Sequence, residues 1–142
     1  MNELHQYQKP ESAEALALGT GPVPAGPYYQ DDYFALERES IFKRTWLNIG
    51  HVCELPEPGY FIVRELDFAN ASILVTRARD DVIRAFHNVC THRGTQLVAT
   101  DSGKRSTFTC PYHGWTFNNT GELRGAPDFE RFYVEKQDCG LH

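Results

Sequence analysis

Two short stretches decide how this chain is read: Cys90-Thr91-His92-Arg93-Gly94 and Cys110-Pro111-Tyr112-His113-Gly114-Trp115. As a pattern they are C-x-H, seventeen intervening residues, then C-x-x-H. Each follows a predicted strand and is rich in turn-forming residues, so each belongs in a loop. Two such loops can close on one metal centre from opposite sides. Two thiolates and two imidazoles suit either zinc or an iron–sulfur cluster. Structural zinc sites usually pair Cys with Cys about two to four residues apart, whereas here each loop offers one Cys and one His. A 2Fe–2S rhomb needs two ligands on each iron. One Cys and one His per loop satisfy that, with the thiolates on one iron and the imidazoles on the other. Gly94, Gly114 and Pro111 allow tight loop backbones, whose free N–H groups can hydrogen-bond the sulfides.

The flanks extend the pattern. Phe86-His87-Asn88-Val89-Cys90-Thr91-His92-Arg93-Gly94 and Cys110-Pro111-Tyr112-His113-Gly114-Trp115-Thr116-Phe117, followed by Gly121-Glu122-Leu123, resemble the cluster motifs of Rieske proteins. More narrowly they resemble the N-terminal Rieske domain of the large (alpha) subunit of ring-hydroxylating oxygenases. Trp46-Leu47-Asn48-Ile49-Gly50-His51 and the helical stretch before it look like that family's entry to the domain, so the resemblance covers about residues 30–142. It implies a 2Fe–2S cluster bound by Cys90, His92, Cys110 and His113. It also implies an electron donor, either a reductase or a ferredoxin. Single electrons would pass to a mononuclear non-haem iron in a catalytic domain, across a subunit boundary of a ring-shaped oligomer. Rieske proteins of respiratory and photosynthetic complexes tie their two loops with a disulfide at the positions held here by Thr95 and Tyr112. Neither is cysteine, so the resemblance is to the low-potential subclass, at the lower end of a range of roughly −150 to +300 mV.

Outside the motifs the patterning is that of a small β protein. Short segments near 46–52, 59–66, 71–77, 82–89, 106–110 and 115–118 are rich in Val, Ile, Phe and Thr and read as strands. Pro56-Glu57-Pro58-Gly59, Asp67–Asn70, Arg79-Asp80-Asp81 and Asn118-Asn119-Thr120-Gly121 separate them as turns. Asp31-Asp32 supply N-cap chemistry for a helix running to about Trp46, with Phe34, Ile41, Phe42 and Trp46 sharing a face. Before it, Gly19–Pro27 is too rich in Gly and Pro to sustain helix or central strand. The expected fold is therefore mainly β: a small antiparallel domain with two cluster-binding loops, preceded by an N-terminal helical arm. The expected division is an arm over 1–45, the Rieske domain over 46–135 and, over 136–142, the start of a C-terminal connection to something longer.

Composition narrows the partners. The 142 residues carry a net charge of −5, with 41% apolar and 23% charged side chains. That argues against nucleic acid and anionic membrane surfaces. The longest apolar runs fall far short of the roughly 20 residues a membrane span needs, and Met1–His5 lacks the basic start of a signal peptide. A cytoplasmic protein is expected. Only His5, His51, His87 and His142 remain outside the two loops. A facial triad of two His and one carboxylate finds no match, because His92 is committed to the cluster and position 84 is Arg. No catalytic residue is therefore expected in this stretch. Trp115 and Tyr112 are expected to shield the cluster from water, and Arg93 to be a loop charge or a docking contact. Cys53 and Cys139 should be inert thiols, and His51 and His87 structural. Two other readings are a free-standing Rieske ferredoxin acting as a soluble carrier, and a zinc-binding interaction domain.

Overall fold

Strands β1 (Tyr60–Leu66) and β2 (Ala71–Arg77) are built from residues that favour the pleated conformation, and they pair antiparallel with Phe61 opposite Thr76 and Val63 opposite Leu74. In the computed structural model, which describes residues 21–142, these two strands form the centre of a four-stranded sheet. β3 (Ile83–His87) flanks β2 and β4 (Ser102–Lys104) flanks β1, giving the order β3-β2-β1-β4. A second antiparallel sheet has the order β5 (Thr107–Thr109), β6 (Thr116–Asn118), β7 (Leu123–Gly125). The mainly antiparallel β architecture expected from the sequence is thus present.

The described residues fall into two units, 21–37 and Arg38–His142. In the first, helix α1 spans Asp31–Glu37 with two acidic residues in its first turn, where they complement the helix dipole. The expectations for residues before 21 lie outside the described residues. The helix expected to reach Trp46 stops short. Arg38–Phe42 is a π-helical turn, and Arg44 ends it by donating its Nε–H to the Glu39 carbonyl at 3.0 Å. Trp46 is wholly exposed instead of sharing an apolar face.

Nor is 46–52 a strand. His51 begins a capping box: its Nδ1 accepts from Cys53 N–H at 3.2 Å, while Glu54 accepts from His51 N–H at 2.8 Å and pairs with Arg64. The resulting turn, Val52–Glu54, brings Leu55 onto one face of the first sheet, where Leu55, Ile62 and Val75 form a small cluster. With both faces covered, β1 and β2 carry the buried triplets Phe61-Ile62-Val63 and Leu74-Val75-Thr76 rather than strict alternation. The main core lies on the opposite face. It joins Phe61, Val63, Leu74 and Phe86 of the first sheet to Phe108, Phe117 and Leu123 of the second, and includes Cys90, Cys110 and Trp115.

Two strands went unexpected, β4 and β7; each has three residues, includes a glycine and has no apolar alternation of its own. After β7 the chain forms short turns, Phe129–Arg131 and Lys136–Cys139. Leu141 N–H donates to the Gly121 carbonyl at 2.7 Å and His87 N–H to the His142 carbonyl at 2.7 Å, so these last residues lie against the β6–β7 hairpin and β3.

Candidate metal centre

Loop 1 leaves β3 and loop 2 joins β5 to β6, and the two loops share one backbone design. In loop 1, Cys90 N–H donates to Thr95 O at 2.8 Å and Gly94 N–H to Cys90 O at 2.9 Å. In loop 2, Cys110 N–H donates to Trp115 O at 2.7 Å and Gly114 N–H to Cys110 O at 3.1 Å. Gly94 and Gly114 both adopt φ +72°, left-handed backbone that a β-carbon disfavours. One difference separates the turns: the histidine stands two residues after Cys90 but three after Cys110.

That repetition sets the four expected ligands in two pairs. The Cys90 and Cys110 thiols meet each other, both 2% exposed, and the rings of His92 and His113 stand 4.7 Å apart at 70°. Among the described residues no three His, Cys, Asp or Glu side chains converge on one ion position. The donors stand thiol beside thiol and imidazole beside imidazole. Burial pushes the Cys90 thiol pKa up, and the adjoining Cys110 thiol adds to that; N–H groups of His92 and Arg93 donate to the Cys90 sulfur and pull the other way. Burial lowers the pKa of His92, helped by the charges of His113 and Arg93. His113 Nδ1 is buried and has no hydrogen-bond partner among the described residues, a costly state for a polar nitrogen unless something binds it.

Aromatic side chains enclose the imidazoles unequally. Trp115, 3% exposed, stacks on His92 with centroids 4.8 Å apart and planes within 8°, and Phe132 meets His92 edge-on at 5.5 Å. Tyr112 lies against His113 at 3.7 Å yet is 62% exposed, so Trp115 is a buried shield and Tyr112 is not. A cleft of about 340 Å³ opens beside both histidines, bordered also by Pro127, Asp128, Arg131 and Phe132. Cys53 is exposed and Cys139 buried, and all four cysteines are free. His51 serves as a cap, and His87 uses its backbone to hold the chain end.

Three further residues support the site without being marked as functional by the sequence. Phe132 had no motif to announce it. Thr91 Oγ1–H donates to the Cys139 carbonyl at 2.7 Å, linking loop 1 to the last turn. Asn88 is wholly buried; its only signal was a polar residue placed where a strand should still be apolar.

Comparison with known proteins decides the family: residues 45–136 match the Rieske [2Fe-2S] domain. This chain belongs to the Rieske [2Fe-2S] domain family. As a Rieske domain it implies a 2Fe–2S cluster. It is 35% identical over 121 residues to the N,N-dimethyl phenylurea N-demethylase subunit alpha of Sphingobium sp. (strain YBL2), covering 85% of this chain and 26% of that one. It is 38% identical to the carnitine monooxygenase oxygenase subunit of Escherichia coli (strain K12), again over 85% of this chain and 32% of the relative. A solved structure of naphthalene 1,2-dioxygenase from Rhodococcus sp. superposes with a TM-score of 0.78 at 37% identity, over 84% of this chain and 28% of the other. The Rieske domain described here thus spans about a quarter to a third of these relatives, and covers only their Rieske region. Their named substrates are not all aromatic, carnitine being an example. Among the described residues no helix is long and apolar enough to cross a membrane.

Proposed function

We propose that this Rieske domain relays single electrons within an oxygenase, with Cys90 and Cys110 holding one iron of the cluster and His92 and His113 the other. The observation that carries the reading is the pairing of the donors, thiol against thiol and imidazole against imidazole, with His113 Nδ1 buried and unpartnered. A mononuclear zinc site would bring all four donors to one point, whereas a rhomb with an iron at each end takes them two by two. Bound there, the cluster supplies one-electron redox chemistry.

The residues of the chain do the rest. The left-handed Gly94 and Gly114 let both loops fold tightly, and in loop 1 the N–H groups of His92 and Arg93 face the Cys90 sulfur. Trp115 and Phe132 cover His92 on their sides of its ring. The cleft beside both histidines, with exposed Tyr112 next to His113, leaves a face where a redox partner can approach. Short-lived electron-transfer contacts are small, and this one needs no large interface.

The reading extends to the whole protein. By this reading the cluster domain is 46–135, preceded by an arm, and 136–142, which lies against that domain, leads toward a catalytic domain holding a mononuclear non-haem iron. The donor is a reductase or ferredoxin, and the acceptor lies in a neighbouring alpha subunit of a ring-shaped oligomer in the cytoplasm. Likeness to naphthalene dioxygenase supports an aromatic substrate and a place in aromatic hydrocarbon catabolism.

Metal analysis and reduction test the proposal together. The isolated chain should contain about two iron and about two acid-labile sulfide per molecule, as the cluster requires, and should take up one electron from dithionite with bleaching of its visible band. Stoichiometric zinc without sulfide overturns it.

A further inference from the structure

The two loops are alike in their turns but not in what holds them underneath. Loop 2 rises from the β5–β6 ladder, where Thr109 faces Thr116 directly below Cys110 and Trp115 and the two hydroxyls lie 3.0 Å apart. Loop 1 has, among the described residues, one isolated bridge, Val89 with Gln96. Below that bridge stands the Asn88 side chain. Its Nδ2 donates to Val98 O at 2.7 Å and to Ser72 Oγ at 3.1 Å, and its Oδ1 accepts from Val98 N–H at 2.9 Å. Its backbone is held as well, with Asn88 N–H on Ser72 O at 2.8 Å and Leu97 N–H on Asn88 O at 3.2 Å.

The Asn88 amide therefore bonds both backbone groups of Val98, as an opposing strand residue would. It closes the base of loop 1 and ties both of its feet to β2. Asn88 and Val98 are both wholly or almost wholly buried, so no water can substitute for these bonds. We propose that Asn88 is the positioning residue of this Rieske centre: it stands in for the missing ladder and sets Cys90 and His92 against Cys110 and His113. The inference rests on the ligand assignment proposed above and adds to it the residue that aligns half of the ligands.

The test uses the 142-residue chain carrying its cluster, with Asn88→Ala and, as a control, Ile62→Ala. Ile62 is buried in the cluster on the other face of the sheet, so its loss destabilises the fold without touching loop 1. Electron paramagnetic resonance of the reduced cluster reads ligand geometry, and iron release to bathophenanthroline reads retention. Asn88→Ala should shift the g-values and speed iron release by about tenfold, the low end of what loosening the support around a metal's ligands costs. Ile62→Ala should leave the g-values unchanged. Unaltered g-values in Asn88→Ala, or the same shift in Ile62→Ala, overturn the proposal. Should Asn88→Ala fail to fold, hydrogen exchange of the unaltered protein decides. The Val98 amide should exchange as slowly as the core amides of Leu74 and Phe86, and exchange at the rate of surface turns overturns the assignment. A normal chain without labile sulfide overturns the cluster reading and this inference with it. A normal cluster with an indifferent Asn88 variant overturns the inference alone.

Discussion

The indole of Trp115 lies flat on the imidazole of His92, 4.8 Å between centroids and 8° between planes. Trp115 is also in the main core and meets Phe129 and Phe132 edge-on, so one side chain is both structural filler and wall of the metal centre. Trp115→Ala should lower the unfolding free energy by about 3–5 kcal/mol, the usual cost of deleting a buried Trp. Urea denaturation of the two proteins checks this. A loss under about 1 kcal/mol would mean that the surrounding rings collapse into the gap.

The cysteines divide by burial. Cys90 and Cys110 are in the core at 2% exposure, whereas Cys53 is exposed. Because metal binding is also folding free energy, Cys90→Ala or Cys110→Ala should give a colourless, poorly folded domain. Cys53→Ala should keep full colour. Visible absorbance together with near-ultraviolet circular dichroism reads both; a coloured Cys110→Ala variant would remove that thiol from the ligand set.

Two glycines with positive φ should respond differently to a methyl group. At Gly94 (φ +72°) the nearest atom to an added Cβ is Val89 Cγ1 at 4.0 Å, so only the backbone cost of about 1–2 kcal/mol applies. At Gly121 (φ +86°) the Cβ would lie 2.6 and 2.8 Å from two ring carbons of buried Phe86. Overpacking adds about 1–3 kcal/mol there, so Gly121→Ala should melt at a clearly lower temperature than Gly94→Ala. Equal melting temperatures would contradict the packing of Phe86 over the hairpin turn.

The Arg84 guanidinium hydrogen-bonds the Asp80 carboxylate at 2.6 Å and, with the Val82 N–H, brings its pKa from 3.8 to about 2. The folded value lies below the unfolded one. The pair's contribution is therefore fully present above pH about 4 and is lost as pH falls toward 2. Both side chains are solvent-accessible, so the energetic effect is small. The clean readout is a carboxylate titration by nuclear magnetic resonance. Arg84→Gln should return Asp80 toward 3.8, and an unshifted Asp80 in the unaltered protein would show that the ion pair does not persist in solution.

The amino-acid sequence by itself determined what is local. The spacing of Cys and His within each loop, and glycine four residues after each cysteine, mark two tight turns bearing metal donors. β1, β2 and β3 were legible within a residue or two because their own side chains favour extended backbone. What depends on partners distant in the chain came only with the tertiary structure. β4 and β7 are three-residue strands whose conformation is supplied by the ladder bonds of β1 and β6, not by any pattern of their own. Helix α1 gives way after Glu37 to the π-helical turn Arg38–Phe42, a change of winding no periodicity announces. The same holds at the metal centre. Four donors and their division into a thiolate pair and an imidazole pair were readable from spacing, but the burial of His113 Nδ1 and the stack of Trp115 on His92 arise where two loops about twenty residues apart in sequence meet. Asn88 shows the reason most plainly: a lone polar residue in a strand is ambiguous until the backbone it bonds, ten residues on, has been brought beside it.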